Sequence, residues 1–539
     1  MTDSTQPSTG TKIFTRDATG LTRQLSAWDA LGVILSGIGL LFVFNAIGLT
    51  DGVYPGANPF ITPIFGFLLV LPLVAMYVIF SIALPRTGGD YVWVGRILHP
   101  VVGFFTNFTI TIISISFVGS IGTAVTSWAL SEEFWDMGKI YNNASWISLA
   151  TTIQSVSTEF WISVVFIILA ALLVALSTKW SARFMKYWTY ISWVIGAIFI
   201  ITILTAGAST FAANFNHLSG SNTTAVIAAG QAAGAPAGVP SPLTYPTLYA
   251  GALGLLGYLA FNYSAYFSSE IKRNSRSQVF AQFGGVTIFM FFSVIMIAAM
   301  YFAEGPSFAN AMALLWGTGS SSYPYISLPM GSGLSIFWNP NPVLVSIFNI
   351  SFIVASFALG VSILFTLSRN LFAWSFDRVT PSALADVNPR TGTPIKAIIV
   401  MSAIGLFFAY VTNYQFGLLA EIFSYGTAGI FTAFLFVAVA AMVFPFRRKD
   451  LFEAAPPTAK AKLGGLPLIT LVGVISFISS IIVIYAIVKP SIGGPFSTVL
   501  FEGIIPTFVV GAIIYVIAHV IRKSQGINLS LLQKEIPPE

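Results

Sequence analysis

Long uninterrupted apolar runs constrain the fold of this chain more than any other feature. Crossing the roughly 30 Å hydrocarbon core of a bilayer takes about 20 helical residues. Twelve runs reach that length, near 27–49, 60–83, 101–130, 160–178, 187–208, 246–268, 279–303, 343–367, 395–412, 416–444, 466–488 and 498–521. They lack the alternating polarity of membrane barrel strands. The sequence therefore predicts an all-α polytopic membrane protein with 12 transmembrane helices.

Composition narrows the function classes. Charged residues make up only 8% of the chain, and there is no cysteine and only three histidines, so no thiolate or histidine metal centre is expected. The acidic residues are spread over loops and chain ends instead of clustering near one membrane surface, as an enzyme site would need. No phosphate-binding GxxxxGK[ST] motif occurs. We predict a protein that is not an enzyme, needs no cofactor and binds no nucleic acid.

Basic residues set the expected orientation. Placing both termini in the cytoplasm puts all 25 Lys and Arg residues in cytoplasmic segments except Lys139 and Lys489. This asymmetry follows the positive-inside rule. It predicts a multi-pass protein of the cytoplasmic membrane, with the stretch PRTGGDYVWVGRILHP (85–100) in a cytoplasmic loop whose Arg96 faces the lipid headgroups and whose Tyr91, Trp93 and Val94 lie in the membrane interface.

Two of the predicted spans contain glycine clusters at mid-length. Span 1 carries Ser36, Gly37 and Gly39, and span 6 carries Gly251, Gly254 and Gly257. Interrupted helices expose main-chain polar groups at the membrane midplane, where a carrier binds its solute. Glycines of this kind also allow close helix packing, which is the simpler interpretation of either cluster alone. The two clusters occupy corresponding places in two groups of five spans, which favours discontinuous helices 1 and 6.

Three cytoplasmic stretches carry a family resemblance. They are PRTGGDYVWVGRILHP after span 2, AYFSSEIKRNSRS after span 6, and SRNLFAWSFDRVTPSALADVNPRTGTPIKA after span 8. Together with YGTAGI at 425–430, they resemble the corresponding segments of the amino acid–polyamine–organocation (APC) superfamily. The resemblance implies a five-plus-five inverted-repeat transporter fold with two peripheral helices, which works by alternating access on amino acids or related amines.

Composition and the resemblance together predict a division of the chain into seven parts. These are a cytoplasmic tail (1–26), the first repeat (27–208), a flexible extracellular loop (209–245), the second repeat (246–445), a cytoplasmic loop (446–465), helices 11 and 12 (466–521) and a cytoplasmic tail (522–539).

The resemblance also implies substrate-binding positions at the two interrupted helices. Main-chain groups around Ser36, Gly37, Ile38 and Gly39 would receive the substrate carboxylate, and carbonyls there and near Gly257 its ammonium. A zwitterion would then neutralise both interrupted ends at once. Further candidates for the pocket wall or gate are Phe42, Tyr258, Phe261 and Asn262.

The coupling ion stays open between a proton, sodium and none, the last meaning exchange. Many family members carry an acid where Asn262 stands here and a lysine where Ser192 stands, and losing the lysine argues against proton coupling by that route. Hydroxyls of Ser192 and Ser356 would suit an oxygen-lined sodium site. Glu421 is a proton-relay candidate because it lies inside an apolar run.

The leading hypothesis is a symporter or antiporter of amino acids in the lipid bilayer. The alternative is a channel or nutrient receptor without coupled transport. A pocket without evident buried acids favours neutral amino acids.

Overall fold

In the computed structural model of the 539-residue chain, the described residues are 20–39, 54–329, 331–415, 426–489, 498 and 500–529. Two predicted site residues, Phe42 and Glu421, lie outside these ranges.

Helices make up most of the described structure. The α-helices are α1 (Ala27–Ile38), α2 (Ile61–Ala83), α3 (Asp90–Ile97), α4 (Pro100–Gly119), α5 (Ile121–Val125), α6 (Ser131–Ile140), α7 (Ala144–Ile153), α8 (Val156–Leu176), α9 (Thr178–Leu218), α10 (Thr223–Ala232), α11 (Tyr245–Gly254), α12 (Tyr263–Tyr266), α13 (Asn274–Glu304), α14 (Pro306–Gly317), α15 (Gly331–Trp338), α16 (Pro342–Phe376), α17 (Ile395–Asn413), α18 (Gly426–Arg447), α19 (Lys449–Ala454), α20 (Leu468–Val488) and α21 (Ile505–Ser524).

Other local structures are short. There are π-helices at Thr126–Leu130 and Leu500–Ile504, and 3₁₀-helices at Leu255–Asn262, Ser268–Glu270, Ser382–Ala385 and Pro457–Lys460. Strands β1 (Lys462–Leu463) and β2 (Leu466–Pro467) form an antiparallel hairpin.

Ten helices of the described residues are long and apolar enough to cross a membrane, which confirms an all-α polytopic architecture. Predicted spans 1 and 6 are not among the ten, because α1 has 12 residues and span 6 is divided into short pieces. Large apolar side chains such as Leu172, Val194 and Val520 are more than half exposed, at 56%, 60% and 61%. Apolar exposure on this scale fits a lipid-facing surface. The count of 12 helices and the inverted repeat stay predictions.

Both ends of α1 follow from its sequence. At its start the Ser26 hydroxyl accepts a hydrogen bond from the Asp29 N–H, and the Asp29 carboxylate accepts one from the Ser26 N–H, so the pair forms a capping box. At its end Gly39 adopts the left-handed conformation, with φ 67°, and its N–H donates to Leu35. Glycine reaches this conformation without steric cost and commonly ends a helix. The α-helix thus stops within predicted span 1.

Span 6 is interrupted in the region that its glycines predict. Helix α11 ends at Gly254, the chain continues as the 3₁₀-helix Leu255–Asn262, and α12 adds one further turn. We call Leu255–Asn262 the 3₁₀ segment. A 3₁₀ stretch within a membrane-spanning element often marks a hinge or functional position.

The predicted flexible loop 209–245 contains regular structure. Helix α9 continues through it to Leu218, and α10 occupies Thr223–Ala232. The Asn222 side chain accepts a hydrogen bond from the Ala225 N–H, which caps α10. The alanine-rich composition that suggested flexibility also favours helix, because alanine has the highest helix propensity. Part of the loop is therefore helical, and its flexibility stays a prediction.

Candidate functional site

A cavity of about 750 Å³ lies where α1 ends beside the 3₁₀ segment. Gly37 and Ile38 of α1 line it, as do Gly257, Tyr258 and Ala260 of the 3₁₀ segment. An α-helix leaves its last four carbonyl groups without partners inside the helix. The cavity is therefore bounded by two places where main-chain groups are not fully used by regular α-helix.

Glycine brings these two interrupted elements together. A Cβ at Gly37 would lie 2.7 Å from the Ala260 Cβ and 2.9 Å from the Ser362 hydroxyl oxygen, closer than packed atoms tolerate. The Ser362 hydroxyl of α16 donates to the Val33 carbonyl of α1 at 2.8 Å, which ties a third helix to the same place. Any larger residue at position 37 would separate α1 from the 3₁₀ segment.

The predicted site residues divide into three groups. The cavity wall contains Gly37, Ile38, Gly257, Tyr258 and Ser356. Those that lie elsewhere in the described structure are Ser36, Gly39, Phe261, Asn262 and Ser192. Phe42 and Glu421 belong to the residues whose structure is not described.

The structure also gives the contacts of predicted site residues that do not line the cavity, and of Tyr258, which does. Ser36 is buried, and its hydroxyl has no hydrogen-bond partner among the described residues. The Phe261 ring packs on the Tyr77 ring with centroids 5.4 Å apart. The Asn262 amide donates to the Tyr266 hydroxyl at 2.8 Å. Tyr258 is a wall residue whose hydroxyl donates to the Pro63 carbonyl at 2.8 Å, which fixes its ring.

The two candidate sodium ligands donate their hydroxyl protons within their own helices. Ser192 donates to the Trp188 carbonyl at 2.8 Å, and Ser356 donates to the Phe352 carbonyl at 2.9 Å. Their oxygen lone pairs stay available for a cation. Only Ser356 lines the cavity, and a shared sodium site stays a prediction.

The double glycine of the 85–100 stretch lets the chain wrap the end of span 6. Gly88 and Gly89 have φ values of 94° and 45°, and a Cβ at Gly89 would lie 2.9 Å from the Tyr266 ring. The Gly88 N–H donates to the Tyr266 carbonyl at 3.0 Å. The loop thus packs directly on the element that continues from the cavity wall.

Helix α3, which follows the double glycine, is buried along its whole length, contrary to the sequence prediction. Arg96 is expected to face lipid headgroups, but its Nη2 atom lies 2.6 Å from Asp377 Oδ2, with both side chains 1% exposed. The residues expected in the membrane interface, Tyr91, Trp93 and Val94, are also buried. The prediction fails because α3 packs against α4 and α18, so that protein rather than lipid surrounds it.

Asp90 begins α3, outside the spanning helices, and is fully buried. Its carboxylate accepts hydrogen bonds from the Tyr266 hydroxyl at 2.6 Å, the Asn107 amide at 2.7 Å and the Tyr77 hydroxyl at 2.8 Å. Burial raises the pKa of Asp90 to about 6, although these three donors act to lower it. Asp90 therefore joins α2, α3, α4 and α12.

A second buried ion pair joins the other two family stretches. Arg369 Nε lies 3.0 Å from Glu270 Oε1, with side-chain exposures of 0% and 1%. Arg369 also donates to the Thr178 hydroxyl at 3.0 Å. We call the end of the bundle that holds α3 and these two ion pairs the basic end.

Acidic residues near the other end of the cavity were missed by sequence reasoning. Glu159 at the start of α8 accepts hydrogen bonds from cavity-lining hydroxyls, and Glu132 and Asp136 of α6 are fully buried. In a chain with 8% charged residues, an acid beside a long apolar run is the available signal. The hydrogen-bond partners of Glu159 are 32 or more positions away, so they cannot be predicted from one sequence.

Comparison with known proteins agrees with this architecture. A search of curated proteins gave no match. The family model described as amino acid permease matches residues 25–518, which covers α1 through most of α21 and all the described cavity residues. The chain belongs to the amino acid permease family, as its resemblance to the APC superfamily predicts.

Proposed function

We propose that the protein is a secondary active transporter that carries amino acids across the cytoplasmic membrane by alternating access, coupled to an ion gradient or by exchange. The observation that carries this proposal is the cavity between the end of α1 and the 3₁₀ segment. Helix ends supply both main-chain donors and acceptors, and these complement the carboxylate and ammonium of an amino acid.

The basic end is the cytoplasmic side in this proposal, with both termini in the cytoplasm. The buried pairs Arg96–Asp377 and Arg369–Glu270 lie at that end. The cavity is lined at its other end by Tyr323, Tyr325 and Ser327. The structure is then a state whose substrate site is closed toward the cytoplasm, and transport requires these ion pairs to rearrange.

In the sodium-coupled form of this proposal, the Ser356 oxygen coordinates the coupling ion. Ser356 lines the cavity and keeps its lone pairs free, as a sodium ligand must. A proton remains the competing coupling ion, and exchange without an ion remains the third mechanism.

Uptake into proteoliposomes tests the proposal. Purified protein is reconstituted, and a panel of radiolabelled amino acids is tested with proton and sodium gradients imposed separately. Accumulation of one or more amino acids against their gradient, or exchange for internal amino acid, is expected. Absence of saturable uptake and of exchange for the whole panel would contradict the proposal, and downhill flux alone would indicate a channel.

A further inference from the structure

Seven of the eight serine and threonine hydroxyls that line the cavity present acceptors rather than donors to a ligand. A serine or threonine hydroxyl has one proton and two lone pairs, so a hydroxyl that donates inside the protein keeps only acceptor capacity. Five cavity-lining hydroxyls donate to main-chain carbonyls: Thr62 to Asn58, Ser120 to Phe117, Ser293 to Phe289, Ser327 to Ser127 and Ser356 to Phe352.

Two more hydroxyls donate to a carboxylate. Thr123 donates to Glu159 Oε2 at 3.0 Å, and Ser127 donates to Glu159 Oε1 at 2.7 Å. An ionised carboxylate only accepts, so both protons point at Glu159 and both oxygens offer lone pairs to the cavity they line. Hydrogen bonds to a charged group polarise the hydroxyls and make these oxygens stronger acceptors.

Packing holds this arrangement in place. The Gly122 N–H of α5 donates to the Ser163 hydroxyl of α8 at 2.8 Å, and a side chain at Gly122 would collide with the Glu159 carbonyl. The two helices therefore approach closely at the level of Glu159. Ser127 lies in the π-helix Thr126–Leu130, a local geometry that is frequent at functional sites.

The charge of Glu159 is not balanced by a basic side chain. Among the described residues, no Lys or Arg forms an ion pair with it. The charge of Glu159 therefore attracts a cation.

We infer that Thr123, Ser127 and Glu159 form a side-chain subsite for a substrate whose side chain carries an ammonium group, as in lysine or ornithine. The inference rests on the proposed function, in which the α-ammonium and carboxylate occupy the helix interruptions. The ammonium donates to the Thr123 and Ser127 oxygens, and Glu159 behind them balances its charge. This replaces the sequence-based preference for neutral amino acids, which rested on a pocket without nearby acids.

Isothermal titration calorimetry on the purified full-length protein tests the subsite with lysine, norleucine and Nε-acetyl-lysine. Norleucine keeps a linear side chain without the ammonium, and acetylation removes its charge. Because a hydrogen bond to a charged group is worth more than a neutral one, lysine is expected to bind at least about tenfold more tightly than either. Equal affinities for lysine and norleucine would overturn the subsite, and this comparison needs no variant.

The Glu159→Gln variant tests whether Glu159 causes the preference for lysine. Glutamine removes the charge and can donate to one hydroxyl, whose proton then turns to the cavity. The affinities for lysine and norleucine are therefore expected to become about equal. Glu453→Gln, at an exposed position on α19, is the matched control and should keep the preference. A Glu159→Gln protein that retains the full preference would overturn the subsite while leaving amino acid transport intact. Wild-type protein that binds no amino acid would overturn both proposals.

Discussion

Breaking the buried Arg96–Asp377 ion pair should destabilise the protein more than breaking an exposed ion pair would. The two side chains are 2.6 Å apart and 1% exposed, so neither charge has water to replace its partner. Removing one member of such a pair leaves an uncompensated buried charge, at a cost of roughly 3–5 kcal/mol. We therefore expect Asp377→Ala or Arg96→Met to lower the free energy of unfolding by about that amount. The double variant should lose less than the sum of the two single losses.

Equilibrium unfolding in mixed micelles, followed by circular dichroism, measures this double-mutant cycle. The Lys396–Asp386 pair is the control, because its side chains are 55% and 63% exposed and exposed pairs contribute roughly 0–1 kcal/mol. If the pair also closes the cytoplasmic side, the single variants should shift the protein toward the state open to the cytoplasm. Additive losses in the cycle, or a loss no larger than that at Lys396–Asp386, would refute the assignment of a buried, coupled pair.

Three further variants test other parts of the account. Because the pKa of Asp90 is raised, the folded state binds the Asp90 proton more tightly than the unfolded state does. The stabilisation from this proton is present below pH about 4 and is lost as pH rises through about 6, which changes the free energy of unfolding by about 3 kcal/mol. Asp90→Asn should flatten that part of the stability–pH profile, and an unchanged profile would exclude Asp90 as its source. Gly89→Ala places a Cβ against the Tyr266 ring at a positive φ, so the melting temperature should fall clearly. A melting temperature equal to that of the wild type would mean that the loop moves freely away from the Tyr266 ring. Gly39→Val forces a β-branched residue into the left-handed region and should abolish amino acid binding in calorimetry, and retained binding would remove the helix end from the site.

The membrane helices were predictable because they depend on local composition. An apolar run long enough to cross the bilayer must be helical, since main-chain groups have no water to bond there. The end of α1 at Gly39 and the change of geometry near Gly257 were predictable for a similar reason, because glycine clusters act on the chain where they stand.

Long-range polar contacts were not predictable. Arg96 and Asp377 are 281 positions apart, and composition suggests water or headgroups for an arginine outside a span. The same applies to Glu159, whose role depends on hydroxyl orientation in another helix. In both cases the tertiary packing decides whether a charge is solvated or paired.

Substrate protection of a cavity cysteine tests the central claim most directly. The wild-type chain contains no cysteine, so Ala260→Cys introduces a unique thiol on the 3₁₀ segment where it lines the cavity. Ser524→Cys, exposed at the end of α21, is the control thiol. We predict that a transported amino acid slows the reaction of the Ala260→Cys thiol with a small maleimide and leaves the Ser524→Cys rate unchanged. If a saturating transported amino acid leaves the Ala260→Cys rate unchanged, then the substrate does not bind between α1 and the 3₁₀ segment.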